Sequence, residues 1–207
     1  MENYNNNPIS NKSETNSSTF NKKNSFVKGL LENFEMLAFA VFIALVIFTF
    51  GFRLCTVVGS SMYDTLEHND KVIVSNIFYT PERNDIIVFH QTGAVFNEPL
   101  VKRVIATEGE WVDIDSSGII RIANNREMNN AITLNESYVS YIDPNYYSSY
   151  YNSMEFPVQV PEGHIFVLGD NRNHSSDSRS AAVGFVDTRR VLGKVLFRIS
   201  PFEKIEN

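Results

Sequence analysis

The sequence predicts a mostly β protein, in which an antiparallel β-rich domain is carried on a single N-terminal transmembrane helix. One long apolar stretch lies near the N terminus, and many short β-branched runs follow it. No amphipathic helix of ordinary length is found among those runs. With 207 residues, 43% of them hydrophobic, the chain can form one folded domain with appendages.

The N-terminal part divides into a tail and an anchor. Residues 1–33 are rich in Asn, Ser, Thr and Lys, so they bury too little surface to offset chain entropy, and we expect a disordered cytoplasmic tail. Residues 34–55 form the predicted transmembrane anchor, because residues 36–52 carry no charge and a spanning helix needs roughly 17 to 25 residues. A cleavable signal peptide is the alternative, but its apolar region is usually only ~7 to 15 residues long.

The lysines before the apolar stretch indicate its orientation. Lys22, Lys23 and Lys28 precede it closely, whereas Arg53 and Lys71 follow it. Positive charge is enriched on the cytoplasmic side of membrane spans, so we expect a cytoplasmic N terminus and an extracytoplasmic β domain.

Residues 56–207 form the predicted β domain. Its strand-like runs are residues 71–74, 85–89, 100–106, 110–114, 118–123, 164–168 and 191–199. Residues 115–118 and 124–125 supply turns. A Tyr-rich insertion near residues 138–155 lacks clean periodicity and is predicted to leave the core.

Composition excludes several functional classes. A formal charge of -6 without a Lys/Arg-dense run argues against a nucleic-acid partner. The only cysteine, Cys55, cannot form an internal disulfide. The four histidines show no ligand spacing, so we expect neither a metal site nor a cofactor.

Two residues suggest nucleophilic catalysis. Ser61 lies within ten residues of the apolar stretch, but a serine hydroxyl needs a neighbouring base. Lys102 lies in a strand-like run and shares a strand face with Leu100 and Val104. Such a lysine becomes a base if burial lowers its pKa, although a lysine in a strand ordinarily faces solvent.

A third motif, residues 169–179, is turn-rich and holds two aspartates and two arginines. Together the motifs resemble those of the type I signal peptidases, a Ser-Lys protease family. Residues 59–66 resemble the nucleophile box, residues 69–74 the following strand, residues 102–105 the general-base box and residues 169–179 the acidic box, in family order.

The resemblance implies that Ser61 attacks the scissile carbonyl and that Lys102 takes its proton. It implies that the Ser61 amide is one oxyanion donor. Many relatives add a hydroxyl where this chain has Gly59, so the second donor stays open, and Gly59, Ser60 and Met62 complete the predicted oxyanion and substrate-binding set. The residues that the resemblance assigns to orienting the base or to structural support are Ser175, Asp177, Arg179, Asp170 and Arg103.

The implied substrates are exported preproteins with small residues before the cleavage site. The implied location is a bacterial cell membrane, with the lipid bilayer as a second partner and association with the export machinery as a further possibility. An extended peptide can add to a strand edge while shallow pockets accept alternate side chains.

A departure at Asp64 and three alternatives accompany this interpretation. Asp64 stands where the family commonly has proline, so we expect an Asx turn or a cap to Leu66 or Glu67 to rigidify the turn. Asp64 also motivates a catalytically impaired, membrane-anchored binding domain as the alternative. A self-cleaving repressor would need a DNA-binding domain that residues 1–33 cannot supply, and His174 is an alternative base.

Overall fold

The computed structural model describes residues 33–91, 98–139 and 154–200, and the backbone of residues 203–204. The first element is an apolar helix, α1 (Asn33–Gly51). The strands that follow are β1 (Phe52–Thr56), β2 (Lys71–Ser75), β3 (Ile86–Phe89), β4 (Leu100–Ala106), β5 (Trp111–Ile114), β6 (Ile120–Ala123), β7 (Ile132–Thr133), β8 (Val158–Gln159), β9 (His164–Leu168), β10 (Val186–Asp187), β11 (Val191–Ser200) and β12 (Glu203–Lys204).

The helix α1 is long and apolar enough to cross a membrane by length and composition. Large apolar side chains along it, such as Phe42 and Leu45, are exposed. The chain separates into two compact units, residues 1–49 and 50–207. Residues 52–55, which the sequence assigned to the anchor, instead belong to β1, because Phe52 to Thr56 pair with β2 in antiparallel register.

The larger sheet has the strand order β1-β2-β11-β3-β4-β9-β10, with β12 paired to β11. Its strand pairs are antiparallel, which confirms the predicted fold class. Strand β4 lies inside this sheet, between β3 and β9. Lys102 is therefore on an interior strand, where it lies opposite Ile87 of β3, and the next residue, Arg103, pairs with both β3 and β9.

The smaller sheet has the order β7-β6-β5-β8 and is also antiparallel. Its inward side chains, including Val112, Ile120 and Ile122, pack against Ile105 and Phe166 of the larger sheet. The predicted turn at residues 115–118 joins β5 to β6, since the Asp115 carboxylate accepts from the Ser117 and Ile119 amides. The core thus joins the two sheets.

The sequence locates the bounds of those strands whose β-branched pattern is strong. The runs at residues 100–106 and 164–168 coincide with β4 and β9. The short strands β7, β8 and β10 have two residues each and carry no periodic signal. In the part of the chain that the structure describes, the helix after α1 is a single 3-10 turn at Thr188–Arg190. Most of the predicted Tyr-rich insertion, residues 140–153, lies outside the described residues.

Candidate active site

Ser61 lies in the loop of residues 57–70 that connects β1 to β2. The loop is closed at its base, because the Val57 amide donates to the Asp70 carbonyl at 2.9 Å and the Asn69 amide donates to the Val57 carbonyl at 2.9 Å. Met62 and Leu66 are fully buried and hold the loop on the core. Met62 and Leu66 are four residues apart on one turn, in which the Leu66 amide donates to the Met62 carbonyl at 2.8 Å. Both side chains therefore reach the same core cluster.

Lys102 projects from β4 to Ser61. Its Nζ lies 2.8 Å from Ser61 Oγ and also donates to the Val101 carbonyl at 2.8 Å. The side chain is 2% exposed, so the amine is removed from bulk water. The structure thus brings together the two residues that the sequence singled out, which lie 41 positions apart.

Burial changes the acid–base behaviour of this amine. Desolvation lowers the pKa of Lys102 from 10.5 to about 8, and the Asp177 and Asp170 carboxylates oppose that change. A substantial neutral fraction is therefore present at mildly alkaline pH. This is the requirement that the sequence interpretation placed on Lys102.

The loop of residues 169–179 is hydrogen-bonded to the loop that carries Ser61. Asn171 donates its amide to the Ser61 carbonyl and its side-chain Nδ2 to the Ser60 carbonyl, each at 3.0 Å. Thr65 Oγ1 donates to Asp170 Oδ2 at 2.6 Å. These bonds fix the main chain on both sides of the Ser61 hydroxyl.

Two buried ion pairs lie next to this contact. Arg103 donates to both oxygens of Asp170, through Nε at 2.9 Å and Nη2 at 2.8 Å. Arg179 donates in the same way to Asp177, at 2.8 and 2.9 Å. Burial alone would raise the pKa of Asp177, but the Arg179 guanidinium and the Gly169 amide hold it below its usual range. All four charged residues predicted as support are thus placed as two paired sets.

Ser175 lies in the loop of residues 169–179, and its predicted role in orienting the Lys102 amine stays a prediction. It is buried, and its hydroxyl makes no hydrogen bond within the described residues. Besides Ser61 Oγ, the Lys102 amine has the Val101 carbonyl as its hydrogen-bond partner.

The predicted oxyanion and substrate-binding residues differ in availability. The Ser61 amide donates to no acceptor among the described residues, so it is free to meet a developing oxyanion. The Gly59 amide already donates to His68 Nδ1 at 3.2 Å, and the Ser60 carbonyl accepts from Tyr63 and Asn171. Met62 is 1% exposed and packs in the core.

Asp64 does not form the predicted turn or cap. It is exposed, the Leu66 amide donates to the Met62 carbonyl, and the Glu67 amide donates to the Asp70 carboxylate. The carboxylates that influence the pKa of Lys102 are those of Asp177 and Asp170. Asp64 is not among the carboxylates that shift the pKa of Lys102.

The alternative chemistry at His174 has less support. His174 is exposed, and Ser61 Oγ has Lys102 as its neighbour. No group of three or more metal-ligating side chains is found among the described residues.

Sequence reasoning missed several residues near the site. Thr65, Asn171 and Arg172 lie inside recognised motifs, so their positions were visible although their contacts were not. Glu136 and Tyr138 had no signal, because their arginine partners are about 35 residues away in the sequence, at Arg172 and Arg103.

Comparisons with known proteins find similar sequences over most of this chain. A family model described as signal peptidase, peptidase S26, matches residues 30–200. A signal peptidase I from Leptolyngbya laminosa is 34% identical over 185 residues, which cover 85% of this chain and 82% of the relative. A probable signal peptidase I-1 from Synechocystis sp. is 32% identical over 180 residues, covering 82% of each chain.

A solved structure, a signal peptidase I from Enterococcus faecalis, is 30% identical, with a TM-score of 0.41. It covers 56% of this chain and 97% of that one.

Proposed function

The chain belongs to the signal peptidase family, peptidase S26, and on this premise we propose that it is a membrane-anchored serine endopeptidase that removes signal peptides from exported preproteins. Ser61 is the nucleophile and Lys102 the general base. The observation that carries the proposal is the 2.8 Å contact between Ser61 Oγ and the Nζ of a buried lysine whose pKa is lowered to about 8.

The chemistry follows from this contact. The lone pair of neutral Lys102 accepts the Ser61 hydroxyl proton as Oγ attacks the scissile carbonyl, while a remaining N–H donates to the Val101 carbonyl. The Ser61 amide stabilises the developing oxyanion. The Lys102 ammonium then returns the proton to the leaving amine. Neutral again, it activates the water that releases the acyl group from Ser61.

The substrate and the location complete the proposal. Small residues before the cleavage site fit an extended peptide bound along the domain, and α1 keeps the enzyme at the bilayer, where a signal peptide is held. We place the N-terminal tail, residues 1–33, in the cytoplasm and the β domain outside a bacterial cell membrane. Association with the export machinery is consistent with this location.

Cleavage of a model preprotein by the purified full-length protein, Ser61→Ala and Lys102→Ala tests the proposal. We expect activity in the wild type alone, rising about tenfold per pH unit below pH 8 and levelling above it. Lys71→Ala, which removes an exposed lysine, is the control and should retain full activity. Cleavage that persists in Lys102→Ala would refute the role of Lys102, and an inactive wild type would favour a binding domain.

A further inference from the structure

Two residues from outside the recognised motifs contact the buried charges beside the candidate site. Residues 134–139 follow β7 of the smaller sheet. The Leu134 amide donates to the carbonyl of Ile120, on the neighbouring strand β6, at 3.0 Å. Glu136 accepts from both Arg172 Nη1, at 2.8 Å, and Arg172 Nη2, at 2.5 Å. Tyr138 donates its hydroxyl to Glu136 Oε1 at 2.8 Å, and its ring lies 3.8 Å from Arg103 Cζ.

These contacts complete a charge balance. The guanidiniums of Arg103, Arg172 and Arg179 are fully buried. Asp170 pairs with the first and Asp177 with the third, so Glu136 is the carboxylate that pairs with Arg172. Burial alone would lower the pKa of Arg172, but Glu136 raises it above its usual value. Without Glu136, a buried positive charge would lose its partner.

The balanced charges are connected to the reacting groups. Arg172 Nε donates to the Gly169 carbonyl at 3.1 Å, and Gly169 approaches Ser61 so closely that an added β-carbon would lie 2.4 Å from the Ser61 carbonyl. Arg103 follows Lys102 on β4 and binds Asp170, which in turn accepts from Thr65 in the nucleophile loop. A displacement of Arg172 or Arg103 is therefore transmitted to the main chain around Ser61.

We propose that Glu136 and Tyr138 are positioning residues for the Ser61–Lys102 pair: Glu136 holds Arg172 and Tyr138 covers Arg103, so that the smaller sheet supports the catalytic geometry. This inference rests on the proposed function. It gives the described start of the Tyr-rich insertion a role in catalysis, because residues 134–139 lead directly into that insertion.

Glu136→Gln is the first test, since it keeps the shape of the side chain and removes its charge. Without the Glu136 carboxylate, the buried Arg172 guanidinium keeps an unpaired positive charge beside the loop of residues 169–179. Added positive charge favours the neutral lysine amine, so the alkaline rise in activity should shift by a few tenths of a pH unit to lower pH. Asp177 and Asp170, the two carboxylates that raise the pKa of Lys102, remain in place in this variant. We expect kcat to fall about 3- to 10-fold because the pair is misplaced, with KM within about twofold.

Glu110→Gln is the matched control. Glu110 also pairs with an arginine, Arg83, but it precedes β5 of the smaller sheet. Within the described residues its carboxylate binds Arg83 and Thr107, which lie outside both the loop of residues 57–70 and the loop of residues 169–179. It should leave both kcat and the pH profile unchanged. If Glu136→Gln lowers only the melting temperature and keeps wild-type kcat and pH profile, Glu136 is structural and the proposal is wrong.

Tyr138 supplies a second pair of variants in case Glu136→Gln does not fold. Tyr138→Phe retains the ring over Arg103 and should keep kcat within about twofold, whereas Tyr138→Leu removes the ring and should lower kcat about threefold or more at unchanged KM. Equal kcat values for the two variants would contradict the assignment of Tyr138.

A titration of Lys102 separates this proposal from the proposed function. In a Ser61→Ala background with ¹³C-labelled lysine, the Lys102 signal is identified by its loss in Lys102→Ala and followed by NMR against pH. Introducing Glu136→Gln, or Tyr138→Leu if the former does not fold, should change the Lys102 titration. An unchanged titration overturns the positioning role even if cleavage is active, and a changed titration supports it even if the wild type cleaves nothing.

Discussion

At the scale of single residues, the burial of Lys102 is unfavourable for the fold. Its folded-state pKa of about 8 lies below the ordinary value of 10.5, so the unfolded chain binds more protons between these two pH values. Stability therefore rises with pH across this window, and the full cost is present below pH 8. The amine of Lys102 is a weaker base in the folded protein because burial has removed the water that would solvate its charged form.

Lys102→Met should consequently stabilise the protein at pH 7 while abolishing cleavage. Removing the desolvated charge is expected to raise the free energy of unfolding by about 1 to 3 kcal/mol at pH 7, and by less near pH 10.5. Thermal unfolding at the two pH values measures this difference. Lys71→Met at an exposed position is the control, and a Lys102→Met variant that is less stable at both pH values would contradict the account.

Asp64→Pro should retain or raise activity. Asp64 is exposed, and the amides that it was expected to cap are bonded to Met62 and Asp70 instead. The initial rate of preprotein cleavage checks this, with Asp64→Ala separating loss of charge from the effect of proline. A large loss in Asp64→Pro but not in Asp64→Ala would mean that proline does not fit the turn, and a large loss in both would show a positive function for the acid.

At the scale of elements, the nucleophile loop and the loop after β9 meet at Gly169. A β-carbon there would lie 2.4 Å from the Ser61 carbonyl and 2.2 Å from Ser175 Oγ. Close approach of two main chains requires a glycine at this position. Gly59, in contrast, has open space around it and a φ of 96°, so its constraint is conformational.

Gly169→Ala should therefore be far more damaging than Gly59→Ala. The first substitution pushes the two loops apart and should lower kcat about 100-fold, a loss typical of misplacing reacting groups by about 1 Å. The second costs about 1 kcal/mol of backbone strain and should lower kcat less than tenfold. Steady-state kinetics of both variants decide, and equal losses would refute the steric explanation.

The strands illustrate which elements sequence patterns can locate. β4 and β9 were predicted at their observed bounds, since β-branched residues fill both of them and turn residues flank them. β1 was missed because its apolar residues continue the pattern of α1, and only pairing with β2 distinguishes it from helix. The sequence pattern of one segment does not show which other strand will pair with it and stabilise it.

At the scale of the whole molecule, α1 is exposed along its apolar surface, as a helix that is to be covered by lipid requires. Phe42→Arg places a charge near its middle. Such a charge costs about 2.5 to 3.5 kcal/mol of membrane insertion, so the variant should be lost from the carbonate-resistant membrane fraction. Phe42→Leu is the control, and retention of Phe42→Arg in that fraction would argue against a spanning role for α1.

The sequence by itself determined the composition of this protein: an apolar helix, a set of antiparallel strands and four motifs in family order. Those are properties of local patterns, because periodicity and motif spacing are written in consecutive residues. The burial of Lys102, its contact with Ser61 and the pairing of Arg172 with Glu136 were decided by the tertiary structure alone. Desolvation and charge pairing depend on which distant segments are brought together, and burial of Lys102 in the folded chain is what lowers the pKa of its amine.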